Sequence, residues 1–371
     1  MTIPIDFKTW IITEGMAGTE NQCLGVAEAL GVNPEIKRIN LNQPWKILSP
    51  YLGFEQSFTF SPALEGPWPD LLISSGRKAI AAARYIKKQS KGKTFTLHIQ
   101  DPRISPKHFD LLAVPAHDPA RGENVIVTTA SPNRITKEKL DKAREEFATF
   151  ETLPAPRVAV LIGGSSKAYT LTPAITKTLA AQLKTLTDQG ISLMITASRR
   201  TGAENEKILR DTLFPSPEGG ELYKKSPLPQ GGGLYKKSPS LKGGGQGEGV
   251  WISGDIQHPH LNPPPQGGGN QIYIWNGEGA NPYFGMLAWS DTILVTADSA
   301  SMLSEACTTG KPVYMIKLEG GAPRIAKLHE NLMAHGALRV FDGALESWNY
   351  VPLNDSGKIA DELRRKLKIK N

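Results

Sequence analysis

The stretch Thr296-Ala-Asp-Ser-Ala-Ser-Met-Leu-Ser-Glu-Ala-Cys-Thr-Thr-Gly-Lys-Pro-Val-Tyr-Met-Ile316 decides the fold class of this chain. The apolar run Thr292 to Val295 that leads into it predicts a buried strand, which stops at a polar cluster. A helix is predicted next, because Gly310-Lys311-Pro312 supplies a stop signal before a second apolar run, Val313 to Ile316. This order is typical of a parallel sheet, and it puts the polar turn at the carboxyl end of a strand.

That turn is where open α/β sheets bind their ligands. The free N–H groups and the positive end of the helix dipole favour an anion, most often a phosphate. Ser301 and Glu305 lie one turn apart on the predicted helix, so they can present a hydroxyl and a carboxylate to the same ligand. Asp298 and Ser299 stand in the turn itself. We therefore expect these four residues to belong to a site for an anionic ligand.

The composition describes an ordinary globular protein of 371 residues, with 39% hydrophobic and 21% charged residues. This length predicts two domains. The net charge of +7 suits nucleic acid, anionic lipid or a phosphorylated substrate, and it is equally consistent with a mildly basic cytosolic protein. Nucleic acid is not expected as a partner.

The cysteines and the apolar runs bear on the compartment. Cys23 and Cys307 lie in apolar helical contexts outside any Cys/His ligand pattern, so we expect neither a disulfide framework nor a metal site. No signal-peptide pattern is present at the start, and no apolar run approaches the roughly 20 residues that span a bilayer. These features predict a cytoplasmic protein. The basic stretch Lys358 to Lys370 is either a solvated helix end or a peripheral contact with the inner membrane.

Short apolar strands alternate with amphipathic helices along the chain, which predicts doubly wound parallel sheets. The predicted elements include strands over 9–13, 36–41, 125–128 and 313–316 and helices over 203–213 and 283–289. The pattern restarts at Leu153-Pro154-Ala155-Pro156, where two prolines end a helix. We predict an N-terminal domain over 1–153, a C-terminal domain over 154–345 and a helical segment over 346–371. The two domains are expected to be Rossmann-like and to face each other across a cleft.

Residues 218–270 interrupt this alternation with repeats rich in Gly and Pro. Leu222-Tyr-Lys-Lys-Ser-Pro227 recurs as Leu234-Tyr-Lys-Lys-Ser-Pro239. Such a composition cannot bury a core, so the segment is predicted to be a disordered insertion in a surface loop of the second domain. A tail that binds a partner is the alternative.

Two polar turns follow predicted strands in the N-terminal half. In Glu14-Gly-Met-Ala-Gly-Thr-Glu-Asn-Gln22, the amides of Asn21 and Gln22, in the first turn of a helix, suit sugar hydroxyls or a phosphate, and the same stretch is consistent with a capping turn. In Asp101-Pro-Arg103, an acid and a guanidinium suit a base and an anion clamp, or they pair with each other in an ordinary turn.

Three further turns follow predicted strands in the C-terminal half. Gly163-Gly164 lets a ligand approach backbone N–H groups, Ser198-Arg199-Arg200 suits a diphosphate, and Asn281-Pro-Tyr283 opens a short helix. An ordinary turn explains each of them as well. In a parallel sheet these turns and the opening one meet at one edge, and this common location predicts one anionic-ligand site.

With these motifs the chain resembles the mitochondrial fission (elongated mitochondria) family, whose bacterial members are regarded as glycosyltransferases. The matching stretches are Gly18 through Gly31, Asp101-Pro-Arg103, Ser198-Arg-Arg-Thr201, Asn281-Pro-Tyr283, and Thr296 through Met302 with Lys311-Pro312. The resemblance implies a GT-B fold, with an acceptor-side domain first and a nucleotide-sugar domain second. It implies a donor site made by Ser299, Ser301 and Glu305, with Gly163, Gly164, Arg199 and Arg200 nearby.

The resemblance implies a glycosyltransferase that moves a sugar from a nucleotide-diphosphate donor to a cell-envelope or lipid-linked acceptor. No metal or other cofactor is expected, because a helix dipole and cationic side chains can neutralise the leaving diphosphate. Asp101 is the first candidate for the general base and Glu20 the second, with Gly18, Asn21, Gln22 and Arg103 on the acceptor side. Two alternatives stay open: a nucleotide-sugar epimerase on the same fold, and a non-catalytic adaptor like the family's eukaryotic members, which recruit a dynamin-like protein.

Overall fold

The computed structural model describes residues 4, 6–215 and 271–368, and the predicted insertion at 218–270 lies outside them. The described residues form two six-stranded parallel sheets and two short antiparallel pairs, with helices between the strands. The predicted fold class, a pair of doubly wound parallel sheets, is confirmed.

The first sheet is built from the N-terminal part of the chain. Its strands and the neighbouring short pair are β1 Thr9–Thr13, β2 Glu35–Arg38, β3 Asn40–Leu41, β4 Phe60–Ser61, β5 Leu71–Ser75, β6 Phe95–Ile99, β7 Leu111–Pro115 and β8 Val125–Thr128. The helices are α1 Ala17–Leu30, α2 Trp45–Leu48, α3 Ala79–Gln89 and α4 Lys137–Glu146. The sheet order is β2-β1-β5-β6-β7-β8, and β3 pairs with β4 outside the sheet.

The second sheet follows the proline-rich boundary. Its strands and a short pair are β9 Arg157–Ile162, β10 Tyr169–Thr170, β11 Ser192–Ala197, β12 Ile272–Ile274, β13 Thr292–Thr296, β14 Val313–Ile316, β15 Glu319–Gly320 and β16 Leu338–Val340. The helices are α5 Pro173–Asp188, α6 Ala203–Leu213, α7 Tyr283–Trp289, α8 Ala300–Thr308, α9 Pro323–Ala334 and α10 Asp355–Lys366. The order β12-β11-β9-β13-β14-β16 is that of a Rossmann sheet.

The first sheet is buried on both faces, because successive side chains of a strand point to opposite sides. Trp10 and Ile12 pack in one apolar cluster with residues of α3. Ile11, between them, packs in a second cluster with residues of α1 and with Ile359 of α10. The C-terminal helix therefore returns from the second sheet to cover the first.

The predicted strand over 36–41 is interrupted in the structure. Residues 35–38 pair with β1, whereas Asn40 and Leu41 pair with β4. The extended stretch is continuous in sequence, but its pairing partner changes from β1 to β4 between Arg38 and Asn40.

The segment around Asn133, which leads from the first sheet toward the second, is fixed by hydrogen bonds. The side chain of Asn133 donates to the hydroxyl of Thr308 on α8 at 2.9 Å, and its backbone N–H donates to Ser356 at 2.9 Å. A methyl group on Gly25 of α1 would lie 2.1 Å from the carbonyl oxygen of Asn133, so only glycine permits this approach. Helix α8 is thus held on one side by its own sheet and on another by the crossing segment.

Candidate functional site

The loops after β9 and β13 lie at the switch point of the second sheet. From β9 the strand order runs outward in both directions, through β11 on one side and β13 on the other. The connections on the two sides cover opposite faces of the sheet. This leaves a crevice at the carboxyl ends of β9 and β13. The Gly163-Gly164 turn follows β9, and the Asp298-Ser299 turn follows β13.

The glycine turn and the acidic turn touch each other in this crevice. The N–H of Gly163 donates to the hydroxyl of Thr296 at 2.7 Å. A methyl group added to Gly163 would lie 2.5 Å from the carboxylate of Asp298. A methyl group added to Gly164 would lie 2.1 Å from the carbonyl oxygen of Arg200, and its φ of +138° also favours glycine. Both glycines are therefore needed for close packing.

Arg200 joins this cluster through its charge. Its Nη1 lies 2.8 Å from Oδ2 of Asp298, whose side chain is fully buried. Burial raises the pKa of Asp298, while a hydrogen bond from Thr296 and the charge of Arg200 oppose that shift. Ser198 bonds to the carbonyl of Gly163. Arg199, the residue before Arg200, is exposed and forms no ion pair with the described residues.

Helix α8 begins at the edge of the same crevice. Ser299 caps it by accepting a hydrogen bond from the N–H of Met302 at 3.4 Å. Ser301 is half-buried in the first turn. Glu305, one turn further, accepts a hydrogen bond from the hydroxyl of Tyr283 at 2.5 Å. Burial raises the pKa of Glu305 to about 7, and the Tyr283 hydroxyl opposes that shift.

The Asn281 turn reaches α8 through Tyr283. Oδ1 of Asn281 accepts from the backbone N–H of Tyr283 at 3.1 Å, which fixes the start of α7. The sequence singled out Asn281, but the structure shows that Tyr283 makes the contact to Glu305. Tyr283 belongs to the Asn281-Pro-Tyr283 motif, but nothing in the sequence indicated that its hydroxyl would reach α8.

The motif Glu14 to Gln22 differs from the prediction in where its helix begins. Helix α1 begins at Ala17, so Gly18 lies in its first turn, and the prediction that Asn21 and Gln22 occupy that turn is wrong. The alternative interpretation of this stretch as a capping turn is not supported either, because α1 has no side-chain cap. Thr19 instead donates to the carbonyl of Met16 at 2.9 Å.

Glu20 and Gln22 of α1 already have partners inside the first domain. Glu20 forms a bidentate ion pair with Arg38, at 2.9 Å from Nε and 2.7 Å from Nη2. Gln22 is buried and accepts hydrogen bonds from Ser75 at 3.1 Å and from Gln100 at 3.0 Å. Asn21 is half-buried and forms no hydrogen bond with the described residues through its side chain.

Asp101 and Arg103 form a local turn. Oδ1 of Asp101 accepts from the backbone N–H of Arg103 at 2.8 Å, and the Arg103 side chain is directed to solvent. The acid and the guanidinium therefore do not pair through their side chains. Asp101 is half-buried and has no ion pair among the described residues.

A contact that the sequence did not reveal joins the two halves. Asp118, in the loop after β7, is almost fully buried, and Arg324 of α9 lies 2.6 Å from its Oδ2. The N–H of Asp101 donates to the same carboxylate oxygen at 3.2 Å. The two charges are far apart in sequence, so no local pattern could have indicated that they meet.

Neither of two other kinds of site is found in the part of the chain that the structure describes. No group of three or more His, Cys, Asp or Glu side chains gathers there in a way that could hold a metal ion. No described helix is both long and apolar enough to cross a membrane.

Two Rossmann-like domains with a crevice at the strand ends define the GT-B class of fold, which confirms the predicted architecture. A solved structure of similar fold is that of the UDP-GlcNAc 2-epimerase from Methanocaldococcus jannaschii, with a TM-score of 0.52 and 12% identity. The likeness covers 98% of this chain and 100% of that chain. At this identity it establishes the fold alone.

The chain belongs to the Mitochondrial fission ELM1 family, whose model matches residues 17–223 and 265–367. The mitochondrial fission protein ELM1 of Arabidopsis thaliana is 25% identical, over 96% of this chain and 90% of that protein. Uncharacterized protein RP120 of Rickettsia prowazekii (strain Madrid E) is 23% identical, over 97% of this chain and 98% of that protein. The family resemblance inferred from the sequence is confirmed.

Proposed function

We propose that this protein is a GT-B glycosyltransferase that moves a sugar from a nucleotide-diphosphate donor to a cell-envelope or lipid-linked acceptor. The observation that carries the proposal is the crevice at the switch point of the second sheet. There Gly163 packs closely against the carboxylate of Asp298, Asp298 pairs with Arg200 at 2.8 Å, and Ser299, the next residue, caps the start of α8. The fold and the family membership support the same conclusion.

The crevice offers what a diphosphate requires. The first N–H groups of a helix have no acceptor within the helix, and the helix dipole adds a partial positive charge at that end. Asp298 holds the guanidinium of Arg200 beside the glycine turn, and this pairing also offsets the negative charge of Asp298. Arg199, which precedes Arg200 in the chain, is exposed, so its charge is available to a phosphate.

Glu305 is suited to a ribose hydroxyl. Its Oε2 is occupied by the Tyr283 hydroxyl, and no described residue hydrogen-bonds its Oε1. The charged form of a half-buried carboxylate is poorly solvated. A new hydrogen-bond donor to its second oxygen therefore stabilises it strongly. Ser301 stands one turn nearer the start of α8, toward the diphosphate.

On the acceptor side, Asp101 stays our candidate for the general base that removes the proton of the attacking hydroxyl. A base must keep a lone pair free, and Asp101 has no ion pair among the described residues. Glu20 is less suited, because both of its oxygens are bound to Arg38 and its side chain is only 14% exposed. Exchange of Asp101 for Asn is expected to lower kcat by 10²-fold or more, on the order of a typical general base.

The test of the donor site is a calorimetric titration of the full chain with uridine diphosphate and the other nucleoside diphosphates. Ser301→Ala and Glu305→Ala are each expected to weaken binding about tenfold or more, since each removes a hydrogen bond to a charged or polar ligand group. Glu145→Gln, on an exposed position of α4, is the matched control and is expected to bind like the wild type. Equal affinity in all four proteins would refute the donor site.

Two other results would replace the proposed function. Conversion of a nucleotide sugar in the absence of any acceptor would identify an epimerase. If no nucleoside diphosphate changes the melting temperature even at millimolar concentration, an adaptor is indicated, because binding to the native state must raise stability.

A further inference from the structure

The segment between β3 and β4 exposes a concentration of large apolar side chains. Five of them form what we call the apolar patch: Ile47 at 69% exposed, Leu48 at 49%, Tyr51 at 69%, Phe54 at 85% and Phe58 at 64%. Elsewhere in the described chain, the exposed large apolar side chains are Val127 at 41% and Val351 at 74%. Single exposed apolar residues are ordinary, but such a cluster on a short segment marks an interaction surface.

The backbone under the patch is firmly held. Nε1 of Trp45 donates to the carbonyl of Gly53 at 2.9 Å, and its ring meets the ring of Phe58 edge to face at 5.7 Å. Arg84 of α3 donates to the carbonyls of Pro50 and Leu52, both at 2.7 Å. The apolar side chains are therefore presented by a fixed scaffold rather than by a loose loop.

Phe54, the most exposed member, adopts a left-handed backbone conformation with φ of +59°. This conformation is unfavourable for a bulky residue, and it is maintained here by the contacts of its neighbours. Glu55, the next residue, is buried and its carboxylate accepts from Nε of Arg84 at 3.0 Å. The turn thus directs an aromatic ring into solvent and an acid into the protein.

The exposed charges beside the patch are positive. Lys46 is exposed, and the other charged residue of the segment, Glu55, is buried and neutralised by Arg84. Arg77 is also exposed, and its backbone carbonyl accepts from the hydroxyl of Ser49 at 3.2 Å. A segment that exposes apolar side chains and a cation but no acid complements an anionic bilayer, where side chains enter the acyl boundary and cations meet the headgroups.

We propose that the apolar patch docks the protein onto an anionic lipid surface. A second copy of the chain is a poorer occupant, because an isologous contact would bring the cations of both copies into one interface, where the segment offers no exposed acid to pair with them. Arg77 follows β5 after one residue, so the patch adjoins the carboxyl edge of the first sheet. Under the proposed glycosyltransferase function, docking there brings the acceptor-side opening to the membrane, where a lipid-linked acceptor resides.

The test is co-sedimentation of the full chain with vesicles of phosphatidylcholine, either alone or with about 40% phosphatidylglycerol. Binding is expected for the anionic vesicles and is expected to weaken as salt is added. The double variant Ile47→Ser, Phe54→Asn is expected to lower the partition coefficient at least about tenfold, because it removes two apolar side chains that the bilayer would bury. Asn tolerates the left-handed backbone at position 54, so the variant is expected to fold.

Two further variants separate the contributions. Lys46→Glu is expected to lower binding to anionic vesicles several-fold with no change in melting temperature. Val351→Ser removes an apolar side chain that is 74% exposed outside the patch, and it is expected to bind like the wild type.

Three results would overturn the proposal: wild-type binding by the double variant, equal binding of the wild type to neutral and anionic vesicles, or a wild-type dimer that the double variant converts to a monomer. The last result would identify an interface between copies. Titration of the double variant with a nucleoside diphosphate is expected to match the wild type. Failure of membrane docking is therefore distinguishable from failure of the donor site.

Discussion

Replacement of Glu305 by Gln tests how the candidate site is built. Burial raises the pKa of this carboxyl from the ordinary 4.5 to about 7. At about pH 8 the folded protein holds a poorly solvated carboxylate, which the unfolded chain exposes to water. The pKa difference corresponds to no more than about 3 kcal/mol of lost stability. Because Glu305 keeps part of its surface in solvent, we expect about 1–2 kcal/mol.

The sign of the pH dependence follows from which state holds the proton. Below about pH 4.5 the carboxyl is protonated in both states, so it contributes no difference. Between about pH 4.5 and 7 the unfolded chain loses the proton first, and stability falls as pH rises. Above about pH 7 both states are ionised and the loss is constant.

Glu305→Gln removes the charge but keeps an oxygen that accepts from the Tyr283 hydroxyl. We expect the variant to be more stable than the wild type by about 1–2 kcal/mol near pH 8. This gain is expected to shrink toward zero near pH 4.5. The measurement is urea unfolding followed by tryptophan fluorescence at about pH 4.5, 6 and 8, with m-values compared between variants.

Glu145→Gln, at an exposed position on α4, serves as the control and is expected to show the same difference from wild type at each pH. Our reasoning is refuted if Glu305→Gln is no more stable than the wild type near pH 8. It is equally refuted if the gain is the same at every pH, because the carboxylate would then not be destabilised by its surroundings.

Two further predictions concern packing and the contact between the halves. Gly164→Ala is expected to destabilise the protein by about 3 kcal/mol or more, because the new methyl group would overlap the carbonyl of Arg200. Gly31→Ala, which also has positive φ but meets nothing within 4 Å, is expected to lose only about 1 kcal/mol in the same urea assay. Arg324→Met is expected to lower stability by about 1–3 kcal/mol, because it leaves buried Asp118 without its ionic partner. An Arg324→Met, Asp118→Asn double variant that recovers none of this loss in thermal unfolding would contradict the role assigned to the ion pair.

Much of the fold could be predicted from the sequence. The strands at 9–13, 125–128 and 313–316 and the helices at 203–213 and 283–289 have the predicted bounds. Their apolar runs are short and end at Gly, Pro or polar turns, so the local signal is clear. The strand over 36–41 was not predicted correctly, since the change of partner from β1 to β4 depends on pairing distant in sequence. The strand at Leu338–Val340 was missed, because three residues carry too little pattern.

By itself, the sequence determined two sheets, their parallel order and the set of turns at their carboxyl edges. Local periodicity and turn chemistry encode these features directly, and they brought Gly163, Asp298, Ser301 and Glu305 into consideration together. Only the tertiary structure decided which side chains remain available to a ligand. Both carboxylate oxygens of Glu20 are bound to Arg38. In Glu305, by contrast, only Oε2 accepts the hydrogen bond from Tyr283. Such pairings join residues that are distant along the chain, and packing of the whole molecule selects among them, so no local pattern can reveal them.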